Sequence, residues 1–138
     1  MNKAIRMGWI LVLLTMAPLA LAEDDAGMAD PDEARAAMMQ AIESGQGGLN
    51  LTEEQMGHVS RILQDSSAKM KAVFQQHGVS RDNPPSNLRQ KRKLARDIRP
   101  IQKDRDAQLE QVLNDEQMKR LEEIRQQVRE ELKSRKNA

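Results

Sequence analysis

Few side chains in this sequence could do covalent chemistry. There is no cysteine, and the two histidines are His58 and His77. They stand nineteen residues apart, roughly 28 Å along one helix, so a single helix cannot bring them to a shared metal ion. Two copies of the chain, with carboxylates as further ligands, are what such a site would need. His77 precedes Gly78, and a cation at a helix C-terminus is favoured by the dipole without any ligand. Ser60, Ser66 and Ser67 have no base beside them, so no activated nucleophile can be assembled. The internal methionines are scattered, apart from the adjacent Met38 and Met39, which face different ways; they read as core filling rather than soft copper ligands. These residue types predict no enzyme, no bound metal and no cofactor.

Charge carries the stronger signal. Arg89, Lys91, Arg92, Lys93, Arg96, Arg99, Lys103 and Arg105 crowd one stretch, opposed by Asp97 and Asp104 before Asp106. Arg89, Arg92, Arg96, Arg99 and Lys103 step by three and four and share one helix face. Like charges at that spacing repel, so the face calls for hydration or an acidic counterpart. One counterpart is Glu122, Glu123, Glu130 and Glu131 further along the chain. Nucleic acid would also neutralise such a face, but an N-terminal export signal, with Lys3 and Arg6 before an apolar run to Ala22, and the lack of stacking aromatics argue against it. The third reading is a surface that attracts acidic or unfolded protein.

Helices must position these groups. No stretch alternates with period two, so no sheet is expected. At the N-terminus, Lys3 and Arg6 precede an apolar run that ends in Ala20-Leu21-Ala22, followed by Glu23-Asp24-Asp25. This reads as a secretory signal peptide over 1–22, cleaved after Ala22, and not as a stable membrane span. Its brevity points to a bacterial periplasm. Its removal takes away Lys3 and Arg6, leaving 20 basic against 21 acidic side chains, a net −1. Phe74 is then the last aromatic, so the core is thin, and a homodimer is the simplest way to bury more.

Residues 23–29 are small and acidic and are expected to be disordered. One all-helical domain should fill 30–136. A short helix, opened by Asp30-Pro31-Asp32-Glu33 as cap, first-turn proline and boxed glutamate, runs through Ala36, Met39 and Ile42 to the glycines at 45, 47 and 48. A second spans 53–77 on a stripe of Val59, Ile62, Leu63, Met70, Val73 and Phe74, interrupted by Ser66 and Ser67. Gly78 caps it, and the loop to Asn87 holds Pro84-Pro85. A third starts near Leu88, with Leu94, Ile98, Ile101, Leu109 and Val112 as its stripe and a kink expected at 98–100 from Pro100. A fourth carries Leu121, Ile124, Val128 and Leu132. Short connections predict antiparallel neighbours.

Two of these helices open on the same words. Leu51-Thr52-Glu53-Glu54-Gln55-Met56 recurs as Leu113-Asn114-Asp115-Glu116-Gln117-Met118. Thr52 and Asn114 are N-caps, Gln55 and Gln117 reach back to close a capping box, and each leucine can staple onto the methionine beyond. The acidic pair in each copy faces the positive end of the dipole.

The stretch from Gly48 to Gln55 resembles the first LTxxQ signature of the Spy/CpxP family of periplasmic stress proteins, and Leu113 to Gln117 resembles the second. The second copy departs in having Asn114 for threonine, and asparagine caps at least as well. The likeness spans roughly residues 30 to 132. It implies a curved, Spy-like antiparallel homodimer of long bent helices that holds unfolded or partly folded periplasmic proteins without ATP. By match of position the client surface would draw on Met70, Phe74, Leu94, Ile98 and Ile101, with Arg89, Arg92, Arg96, Arg99 and Lys103 around them. Leu51, Thr52, Gln55, Leu113, Asn114 and Gln117 would cap and join helix ends. CpxP-like relatives act instead on the periplasmic domain of a sensor kinase, and others respond to metals through histidine-rich sites that this chain lacks. Nothing in the residues separates the first two roles.

Overall fold

The computed structural model describes residues 29–137. The expected signal peptide, and the acidic stretch 23–29 except for Ala29, lie outside them. Four helices follow: α1 (Pro31–Glu43), α2 (Glu53–Gln76), α3 (Leu88–Val112) and α4 (Asp115–Lys136), with a short 3-10 turn at Gln46–Gly48 between the first two. The described residues form four helices and contain no strand, so the fold is all-α, as the periodicity predicts. Among them no helix is long and apolar enough to cross a membrane.

Local chemistry sets each boundary. Asp30 caps α1 and Pro31 opens it, but the expected capping box is not made. The Asp30 carboxylate accepts from Asp32 N–H at 2.8 Å, while Glu33 turns outward to Arg81 at 3.5 Å. Of the expected face of α1, Ile42 is buried and Met39 packs half-buried on the core, but Ala36 is exposed, and Met38 and Ala41 complete the buried side. α2 ends in a Schellman motif: Gly78 has φ +63°, its N–H donates to Gln75 O, and Val79 N–H donates to Phe74 O. Val79 and Phe74 belong to one apolar cluster, the hydrophobic contact that accompanies this motif.

α3 is capped by Asn87. Asn87 accepts from Gln90 N–H at 2.9 Å, and Gln90 accepts in turn from Ser86 N–H. The helix assignment continues through Pro100. Proline leaves the Arg96 carbonyl without its usual donor, and Arg96 is an exposed residue where water can serve that oxygen.

α2 and α3 run antiparallel. Phe74, Val79, Leu94 and Ile98 pack together at one end of the pair, and Gln55 meets the Val112 carbonyl at the other. α1 lies against α2 and α4. α4 departs from the expected pattern, because it packs on α1 and the 3-10 turn and only grazes α3. The link at Leu113 and Asn114 is extended and redirects the chain. The inner side of α3 carries Arg105 between Ile101 and Leu109, so it offers α4 less apolar surface than α1 does. The main core therefore joins Met38 and Ile42 of α1, Val59 and Leu63 of α2, Leu109 of α3, and Leu121, Ile124 and Val128 of α4.

The two serines do not break the stripe of α2. Both are buried, with Ser66 Oγ donating to Leu63 O and Ser67 Oγ to Asp32. Among the described residues Leu88, 54% exposed, is the large apolar side chain left in solvent.

Candidate functional site

Both repeated capping boxes are complete. Thr52 Oγ1 accepts from Gln55 N–H, and Thr52 N–H donates to Gln55 Oε1, each at 3.1 Å. Asn114 and Gln117 repeat the exchange at 2.8 and 3.1 Å. The tertiary fold then joins the boxes. Gln55 Nε2 donates to Gln117 Oε1 at 3.1 Å, Gln117 Nε2 donates to Gln55 Oε1 at 3.3 Å, and Gln55 Nε2 also reaches Val112 O at 3.1 Å. One reciprocal amide pair thus ties the start of α2, the end of α3 and the start of α4. Leu113 is buried, and Leu51, Met56 and Met118 pack against the same core.

The basic residues of α3 fall into two populations. Arg89, Arg92, Arg96, Arg99 and Lys103 are all exposed. Leu88, Arg89, Arg92, Lys93 and Arg96 border one shallow depression, and Arg99 and Lys103 border a second with Asp106 and Glu110. Among the described residues the acids of α4 do not pair with this row. Glu122 pairs with Arg125 and Glu131 with Arg135, both within α4, and the row's own pair is Arg96 with the adjacent Asp97 at 3.7 Å. At 3.6 residues per turn the row stands roughly opposite Leu94, Ile98 and Leu109 on the same helix.

The apolar residues expected at the client surface lie on the other side of α3 from this row. Phe74, Leu94 and Ile98 are buried between α2 and α3, and Met70 and Ile101 are half-buried. Phe74, Leu94 and Ile98 pack together between α2 and α3 with Met70 against them. The reason is that α3 has one apolar stripe, and α2 covers it.

Arg105 belongs to the interior. Its side chain is 13% exposed, and its Nε donates to Asp106 Oδ1 at 3.0 Å. Arg125 of α4 reaches the same oxygen at 3.1 Å. Burial, and then the nearby Arg125 charge, push Arg105 below the usual arginine range. Charge density alone assigned Arg105 to the basic cluster. The signal that could have separated it is the gap it fills in the apolar stripe.

The histidines lie apart. His58 Nε2 is 3.9 Å from Glu54, and His77 Nε2 is 2.8 Å from Asp97 Oδ2. The His77 hydrogen bond holds the Asp97 carboxyl below its ordinary range. Asp32, bonded by Lys71 and Ser67, is lowered in the same way, and Lys71 is raised by Asp32. Among the described residues no three histidine or acidic side chains gather as a metal site would require.

No family model, curated protein or solved structure matches this chain.

Proposed function

We propose that the protein is an ATP-independent periplasmic chaperone of the Spy/CpxP type, binding unfolded or partly folded proteins along the outer face of α3. The observation that carries this reading is the solvent-facing row of Arg89, Arg92, Arg96, Arg99 and Lys103, which α4 leaves uncompensated, with the exposed Leu88 at its head. A row of like charge draws acidic and partly folded chains from a distance and speeds encounter. Arginine stems and Leu88 then offer small apolar contacts. Such contacts hold many shapes loosely and release them without an energy source. The paired LTxxQ-like motifs and the leader support the family assignment. The homodimer belongs to this proposal as well, and its test is solution mass.

The experiment is suppression of aggregation of a chemically denatured client at stoichiometric ratio, with Arg92→Glu/Arg96→Glu alongside. Protection by the native chain and its loss in the charge-reversed chain are expected. Equal protection by both would remove α3 as the client surface. No protection, together with saturable one-to-one binding to one sensor domain, would favour the regulatory role.

A further inference from the structure

The four helices enclose a half-open groove of about 170 Å³, set apart from the basic row. Its walls are mostly apolar, with Met38 of α1, Leu63, Met70 and Phe74 of α2, and Val128 and Leu132 of α4, beside the polar Ser66, Ser67 and Gln102. Four arginines reach it, namely Arg35, Arg105, Arg125 and Arg129, and among the described residues no carboxylate lines it. Asp106 serves Arg105 and Arg125, and Glu122 serves Arg125. Arg35 is different, because its Nε is buried without a hydrogen-bond partner. The nearby Asp32 feels the Arg35 charge, but its oxygens are taken by Ser67 and Lys71.

Several guanidinium groups around one hollow focus a positive potential, which an anion with an apolar tail relieves. A planar carboxylate matches the guanidinium fork, and the methionines adapt to a flexible chain. The volume lies below the roughly 300 Å³ at which drug-sized pockets begin, which suits a slender ligand. We propose that the groove binds a medium-chain fatty-acid anion, its carboxylate drawn to Arg35 and Arg129 and its tail laid along Met38, Met70, Phe74 and Val128. This site is independent of the client reading of α3.

The test is calorimetric titration and thermal unfolding of the full chain with sub-micellar decanoate. Saturable binding of one decanoate per chain is expected, with butanoate and decan-1-ol at least tenfold weaker. Arg129→Gln and Arg35→Met should each weaken decanoate at least tenfold. Arg35→Met keeps the stem and removes the orphan donor, so its unliganded melting temperature should hold or rise. Arg92→Glu/Arg96→Glu, outside the groove, should bind decanoate as the native chain does. Absence of saturable binding, equal binding of decan-1-ol, or loss confined to the Arg92/Arg96 variant would each overturn the proposal. So would binding that emerges only when Glu23, Asp24 and Asp25 are neutralised, since the groove would then belong to the chain's own acidic segment.

Discussion

Gln55 and Gln117 each do two jobs with one amide. Each oxygen accepts from its own N-cap N–H and from the other glutamine, and each nitrogen donates across. A capping box alone accepts glutamate as readily as glutamine. The cross-pair does not, because a carboxylate has no donor. Gln55→Glu and Gln117→Glu should therefore each destabilise by about 1–3 kcal/mol. The double variant should lose more than the sum, because two like charges would then meet. Chemical denaturation of the four-member cycle checks this, and near-neutral single variants would leave only the boxes. Asp32 and Asp97 make a second residue-scale prediction. Both have depressed folded values, so their contribution is present above the ordinary carboxylate pKa of about 4 and is lost as pH falls below it. Melting temperature should drop from pH 5 to pH 3, and Asp97→Asn should flatten part of that drop. Lys71 has the opposite sign, and its contribution is lost only as pH rises through its raised value.

At the scale of elements, the turn between α1 and α2 decides how closely α4 can approach. Gly47 has φ +78°, and a Cβ there would stand 2.9 Å from Ile124 Cγ1. Gly45 has φ +73° and open space around it. Gly45→Ala should cost only backbone strain, about 1–2 kcal/mol. Gly47→Ala adds overpacking and should cost about 1–3 kcal/mol more. Urea melts of both variants measure the difference, and equal losses would mean that α4 yields at no cost. Helix starts were legible because caps are local: Asp30, Thr52 and Asn114 stand where their types and spacing put them. Asn87 with Gln90 was equally legible as a cap three residues before a glutamine, but no leucine precedes it to complete the repeated word. The α3–α4 packing was not legible, since a two-residue link leaves the direction of the next helix to whichever apolar stripe it finds.

For the whole molecule, the consequence is a separation of roles. Apolar side chains close two core clusters, and the arginine row stands on the far side of α3. If the row captures clients by charge, protection should fall steeply with salt as the Debye length contracts to about 10 Å at 0.1 M. Client protection measured across a salt series tests this, and salt-independent protection would point to apolar capture instead. Arg92→Glu/Arg96→Glu should leave the melting temperature unchanged or slightly raised, since it relieves repulsion without touching the core.

The sequence alone determined the helices, their caps and the basic row, because periodicity, capping and charge spacing act within a few residues. Only the tertiary structure decided which side of α3 is covered. It buried Phe74, Leu94 and Ile98 between α2 and α3 and drew Arg105 inward. It also brought Gln55 to Gln117, sixty-two residues apart. Those outcomes depend on which apolar stripe meets which, and residues far apart in the chain settle that.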